Sequence, residues 1–323
     1  MKEFTIGKND GGQRLDRFVS KAVPLLSASL IQKYIRIKRI KVCGKGAAKD
    51  YKLSIGETVQ MYINDEFFDT PREENAYLRI SNPQLEIIYE DENLLLYNKP
   101  SGLLCHSDDS GTFDTAVARI QAYLYQNGTW KPRDEISFTP ALCNRIDRNT
   151  SGIVIAAKNA QAMRIINEKI KNHAIDKYYL TIVHGRPTPE NARLEGFIFK
   201  DATKNRVYVS KESRPGSKTA IMEYKTITST GSLSLLKCRL ITGRTHQIRA
   251  QLADIGHSLL GDGKYGSERL NKPYGEAKQL LCSYKLTFSG DTDSGILSYL
   301  NNRSFLISDI GFVKKYFGAI DIL

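Results

Sequence analysis

The sequence predicts an α+β protein built as two units of unequal size, and three observations carry that expectation. A chain of 323 residues exceeds what one small core organises comfortably. Its first 63 residues are strongly basic and pass from a helical to an alternating hydrophobic period. Between residues 85 and 290, short apolar runs of strand length outnumber long helical patterns.

Within residues 1–63, Leu15, Phe18, Val19, Ala22 and Val23 fall at helical spacing, with Arg14, Arg17 and Lys21 interleaved and Pro24 closing the segment. Ser27 is placed to cap a second helix, whose apolar stripe is Leu30, Ile31, Tyr34 and Ile35 and whose outward positions include Lys33, Arg36 and Lys38. The period then changes to alternation at Ile40 and Val42 and again at Val59, Met61 and Ile63, with glycines at 44 and 46 marking a turn. Residues 64–84 are acidic and turn-rich and read as a linker, which leaves 85–323 for the larger unit.

Charge narrows the partner. The formal excess is +12, and residues 1–63 alone hold 13 Lys/Arg against 5 Asp/Glu, so two thirds of the excess occupies a fifth of the chain. A uniform excess would serve solubility, whereas this concentration resembles a footprint for a polyanion. No apolar run approaches the ~18 residues of a membrane span, and no secretory signal pattern opens the chain, so the expectation is a soluble, cytoplasmic protein without a membrane partner. Five widely spread cysteines with no CxxC pair argue against a disulfide framework and a zinc site.

Three segments carry candidate chemistry. In NRIDRNTSGIVIAAKN (144–159), a buried-strand run at 153–157 follows a loop holding Arg145, Asp147 and Arg148, and Asn159 caps a helix bearing Ala162, Met163, Ile166 and Ile170 on one face. A carboxylate between two guanidinium groups, on a loop backed by the core, is favoured in its charged form. Taken singly, an aspartate in such a place is more often a turn former or a surface ion pair. In ITGRTHQIRAQLADIGHSLLGDGKYG (241–266), Arg244 and Arg249 suit phosphate, and His246 and Gln247 offer hydrogen bonds, a set equally suited to a phosphate loop or a nuclease. In DKYYLTIVHG (176–185), Tyr179, Thr181 and Val183 share one side of a strand, and an aromatic among basic groups can stack on an extruded base, although strand tyrosines are usually core.

Together LYNKPSGLLCH (96–106), NRIDRNTSGIVIAAK (144–158), KYYLTIVHG (177–185) and GRTHQIRAQLADIGHSLLGDGKYG (243–266) resemble, in order and spacing, the pseudouridine synthases that act chiefly on large-subunit ribosomal RNA. Residues 1–63 resemble the alpha-L (S4-like) RNA-binding module. The resemblance implies a mixed, mostly antiparallel bent sheet with flanking helices and a cleft, an N-terminal RNA-binding domain at 1–63 and a catalytic domain at 85–323. It implies Asp147 as the essential carboxylate, Arg244 as the basic residue paired with it and Tyr179 as the tyrosine packed on the target base. Leu281 is then a pocket wall, and Arg145, Thr150, His246, Gln247 and Arg249 contact RNA or base. Arg14, Arg17, Lys33, Arg36, Lys38 and Arg39 supply N-terminal contacts.

The implied reaction breaks the N1–ribose bond of uridine and rejoins the base through C5. It is redox-neutral and adds no group, so no cofactor or metal is expected. The carboxylate could attack the ribose, add to the base or withdraw a ribose proton. The expected partner is RNA, large-subunit ribosomal before transfer RNA, and the expected state is a monomer. Asn144, Ile146, Gln251 and Cys282 depart from the family's usual residues, the first and last two from histidine, which leaves the target nucleotide open. A non-enzymatic RNA-binding protein and a nuclease built on His246 are the rival readings.

Overall fold

The computed structural model describes residues 1–68, 76–108, 111–132, 134–201, 203–204, 206–290 and 293–320. The basic N-terminal segment forms β1 (Lys2–Thr5), α1 (Leu15–Ala22), α2 (Ala28–Arg36), β2 (Ile40–Val42) and β3 (Thr58–Met61), with the strands in the antiparallel order β1-β3-β2. Helical spacing carries Leu15, Phe18, Val19, Ile31 and Ile35 into one apolar cluster, and strand alternation adds Ile40, Val42, Val59 and Met61. Ser27 accepts the amide of Leu30, closing the first turn of α2.

The expected linker at 64–84 has two described ends, with 69–75 outside the described residues. Phe67 and Phe68 pack on the N-terminal cluster, whereas Tyr77 and Ile80 join a cluster under the larger sheet, where Tyr77 meets Trp130 edge-on. The N-terminal segment also bonds directly to the rest. Asn9 donates to Glu135 at 2.7 Å and accepts the Ala160 amide, and Gln13 donates to Ser137 at 2.8 Å.

The remainder is built on β4 (Ile87–Glu90), β5 (Leu94–Lys99), α3 (Ala116–Gln126), β6 (Ala141–Leu142), β7 (Ser151–Ala157), α4 (Ala160–Lys171) and β8 (Ile175–His184). There follow β9 (Asn191–Asp201), β10 (Arg206–Ser210), β11 (Lys218–Thr230), β12 (Leu233–Leu240), α5 (Gln247–Asp254), α6 (Glu268–Asn271), β13 (Leu281–Phe288), β14 (Ser304–Leu306) and α7 (Gly311–Phe317). Among the described residues, eleven strands form one sheet in the order β10-β9-β11-β12-β8-β13-β7-β5-β4, with β14 beside β13 and β6 beside β7. The pairing is antiparallel except between β13 and β7, so the sheet is mixed but mostly antiparallel. Gly152 permits that parallel join: its φ is +114°, and a Cβ there would lie 2.3 Å from the Ser283 carbonyl oxygen.

Alternation divides the side chains between two faces. Leu180, Ile182, Leu235, Cys282 and Tyr284 enter the main core with α4, whose Asn159 cap accepts the Ala162 amide. The C-terminal residues Leu297, Leu300, Phe305, Ile310 and Val313 cover the same core, so the sequence after Phe288 ends in a terminal helix packed on the sheet, as expected. Tyr179, Val183, Leu236, Cys238 and Leu281 point the other way, against Ile248 and Leu252 of α5. The candidate site lies on this second face.

Candidate active site

Asp147 stands on the turn between β6 and β7, and that turn is tied down residue by residue. Asn144 accepts the Ile155 amide at 2.7 Å, so a residue that departs from the usual histidine braces the turn against the strand it enters. The Cys105 thiol donates to the Ile146 carbonyl, Gly102 N–H to that of Arg148 and the Ser101 hydroxyl to that of Asn149. Lys99, fully buried at the end of β5, donates to the carbonyls of Pro100, Leu103 and Arg148 at 2.9, 2.8 and 3.1 Å. Burial pushes its ammonium pKa down to about 8. Period-2 alternation from Leu95 and Tyr97 already aims Lys99 inward, which was the signal for it in the sequence.

The Asp147 carboxylate is held through one oxygen. Its Oδ2 accepts Nη1 of Arg249 at 2.8 Å and lies 3.9 Å from Nε2 of His246, while Oδ1 has no partner among the described residues and the side chain is 24% exposed. This corrects the pairing expected for Arg244. The chain turns at His246, which adopts a left-handed φ of +52°, so that Arg249 in the first turn of α5 enters the cleft. Arg244 stays on the preceding loop and donates to the Thr219 carbonyl.

Arg249 also meets Asp262 head-on, through Nε at 2.7 Å and Nη2 at 3.0 Å, and its guanidinium sits 5.1 Å from the Tyr265 ring centroid. Burial opposes charge on Asp262, yet the Arg249 bonds and the amides of Tyr265 and Lys264 hold its carboxyl below the usual range. Neither Asp262 nor Tyr265 was singled out in the sequence, although both lie in the quoted GDGKYG run.

The Tyr265 hydroxyl accepts the Val207 amide at 2.9 Å and lies 2.9 Å from Nδ1 of His246. That contact orients the ring, so that Nε2 is the nitrogen facing Asp147. Burial lowers the His246 pKa from its ordinary value, against the pull of Asp147, and so favours the uncharged ring.

Tyr179 and Leu281 lie in one cluster with Ile146, the neighbour of Asp147. Burial raises the Tyr179 phenol to about 12, with the Asp147 charge adding to the shift. Arg145 and Arg148, on the same turn as Asp147, are exposed. Two further expectations are corrected. Gln247 is buried and spends its side chain on Thr242, the Arg244 amide and the Ile221 carbonyl, bracing the turn rather than facing RNA. Thr150 is 2% exposed, its hydroxyl enclosed and its amide bonded to the Asp147 carbonyl, so it supports the turn from beneath. Gln251 likewise faces inward, donating to the carbonyls of Leu194 and Ala220, and Cys282 points to the opposite core. At the N-terminus Arg14, Arg17, Lys33, Arg36, Lys38 and Arg39 are all exposed, Arg14 being paired with Asp16 at 2.6 Å.

A carboxylate with one oxygen fixed and one free, above an apolar wall and a buried tyrosine, defines a site for acid, base or nucleophilic work on a planar group. The comparisons with known proteins agree with that class. The family model described as RNA pseudouridylate synthase matches residues 93–254, which contain Asp147, Tyr179 and Arg249. The ribosomal large subunit pseudouridine synthase D of Borreliella burgdorferi is 31% identical over 289 residues, 88% of this chain and 84% of that protein. The protein of the same description from Zymomonas mobilis is 30% identical over 83% of this chain and 81% of its own length. Human RNA Pseudouridylate Synthase Domain Containing 4 shares the fold, with a TM-score of 0.54 at 20% identity, over 72% of this chain and 92% of that one. The chain belongs to the RNA pseudouridylate synthase family and is an isomerase that converts uridine to pseudouridine in RNA.

Proposed function

We propose that this pseudouridine synthase acts on large-subunit ribosomal RNA, with Asp147 as the essential carboxylate and Oδ1 as its working atom. The observation that carries the reading is the asymmetry of that carboxylate: Oδ2 is clamped by Arg249, and Oδ1 has no partner among the described residues. The reaction needs an anionic oxygen beside both sugar and base, held still while the freed base turns. Tyr179 and Leu281 supply the surface on which an extruded uracil packs, and such contacts offset the few kcal/mol, roughly, that unstacking the nucleotide costs.

The ribosomal target rests on the two relatives described as large-subunit synthases and on the exposed cations of residues 1–63, which fit the phosphates of a structured RNA. The likeness of those residues to the alpha-L module supports an RNA-docking role for them. Arg145, exposed two residues before Asp147, is the residue we assign to the gap left by the extruded base.

Large-subunit RNA labelled with tritium at uridine C5 tests the reading. The wild-type protein releases label and leaves the strand intact, and Asp147→Ala releases none while still binding RNA. Release by the Asp147→Ala variant removes the aspartate from its role. Shortening of the strand favours a nuclease, and binding without release favours a non-enzymatic RNA-binding protein.

A further inference from the structure

Asp262 does not reach the cleft, yet the geometry of the cleft depends on it. It is completely buried on the turn between β8's neighbour Leu259 and α6, and it is located from two sides. The amides of Lys264 and Tyr265 donate to its Oδ1 at 2.9 and 3.0 Å, and Asn271 bonds the turn at the Gly261 amide and the Asp262 carbonyl while meeting His184 at 2.8 Å. Gly261 seals the arrangement: with φ +80°, a Cβ there would lie 2.1 Å from the Lys278 carbonyl oxygen. A carboxylate fixed this firmly fixes what binds it.

What binds it is the Nε and Nη2 edge of Arg249. A bidentate pair sets the plane and rotation of a guanidinium, so Nη1 then points in a determined direction. In that direction stands Oδ2 of Asp147. The alternative is easy to state. An Arg249 released from Asp262 would present the same two-nitrogen edge to Asp147 and take both of its oxygens, including the one that must meet the nucleotide. There is an electrostatic counterpart, because one cation between two carboxylates leaves the group with a net negative charge, whereas a private pair would neutralise Asp147.

We infer that Asp262 is a positioning residue for isomerisation, holding Arg249 so that it grips one oxygen of Asp147 and leaves the other bare. The inference rests on Asp147 being the catalytic carboxylate.

Asp262→Asn keeps an acceptor for the Lys264 and Tyr265 amides but weakens its hold on the guanidinium. In steady-state tritium release it lowers kcat roughly 100-fold, with KM and RNA affinity within about threefold of wild type, since neither the base surface nor the exposed cations change. Arg249→Lys, which keeps the charge but lacks the planar two-nitrogen fork that Asp262 orients, gives a loss of the same order and covers the case in which Asp262→Asn fails to fold. In an Arg249→Gln background, Asp262→Asn costs little more, because its effect runs through the arginine. A folded Asp262→Asn protein with near-wild-type kcat, an Arg249→Lys protein with near-wild-type kcat, or multiplicative losses in the double variant would each overturn the inference while leaving the isomerase reading intact. A wild-type protein that releases no label sinks both.

Discussion

The N-terminal helices and the cleft both concentrate cationic side chains, but they spend them differently. Arg17, Lys33, Arg36, Lys38 and Arg39 are exposed on a surface whose core is complete without them. Lys99 and Arg249 are buried, and every bond described for them ends on a named carbonyl or carboxylate that positions Asp147. Exposed charge is screened by salt and tolerates displacement by an ångström or more; buried charge is little screened and tolerates neither. The first region is therefore suited to gathering RNA and the second to holding an atom in place.

The sharpest way to break this contrast is at Lys99. Lys99→Met fills similar volume but leaves the carbonyls of Pro100 and Leu103, the latter buried, without the donor that serves them. It should cost roughly 2–4 kcal/mol of stability, from the penalty for unsatisfied buried acceptors. The turn bearing Asp147 then loses one of its ties, so kcat should fall at least tenfold, about the cost of a small misplacement, with little change in salt dependence. Chemical denaturation and single-turnover assays at two salt concentrations check this. A strong new salt dependence would show that Lys99 contributes charge to RNA rather than shape to the turn.

Proton binding by the same residue sharpens the contrast further. The folded-state pKa of Lys99 is about 8, below its ordinary 10.5. Between those values the unfolded chain binds more protons, so the contribution of Lys99 to stability is least below about 8 and grows as pH rises toward 10.5. Activity has the opposite sign. Above about pH 8 the neutral amine has two N–H groups for three carbonyls, the turn loosens, and kcat should decline with no loss of stability from this group. Rate and thermal-melt profiles across the range test that divergence, and the limb should be absent from the residual activity of Lys99→Met.

What the sequence revealed follows the same division. Periodicity read the apolar clusters, both caps at Ser27 and Asn159 and the terminal helix, because burial and capping leave local patterns. The resemblance to the pseudouridine synthases singled out Asp147, Tyr179 and Leu281, and Tyr179 and Leu281 do share a cluster with Ile146, the neighbour of Asp147. The partner of Asp147 was misassigned because Arg244 and Arg249 sit five positions apart in one motif, and only the left-handed turn at His246 decides which enters the cleft. Gln247 and Thr150 were assigned to RNA through the resemblance, and the burial of both and the Gln247 bond to the distant Ile221 carbonyl could not be seen in a linear pattern. Asp262 escaped for a related reason: a buried acid is invisible until its arginine is found.

The smallest expected effect lies at the other pole of the comparison. Replacing Lys33, Arg36, Lys38 and Arg39 together by Gln removes four exposed charges and no described hydrogen bond of their side chains, leaving the apolar core of α1, α2 and the three strands unchanged. Stability should move by less than about 0.5 kcal/mol, as for surface changes generally. Affinity for RNA should weaken about tenfold at moderate salt, and the dependence of log Kd on log salt should flatten by up to about 3, fewer counterions being released on binding. At saturating RNA, kcat should be unaltered, because none of the four side chains touches the turn at 144–150. Filter binding across a salt series, with single-turnover rates on the same samples, tests both halves. A fall in saturated kcat would mean that these cations help place the target uridine, and an unchanged salt slope would mean that they do not meet phosphate.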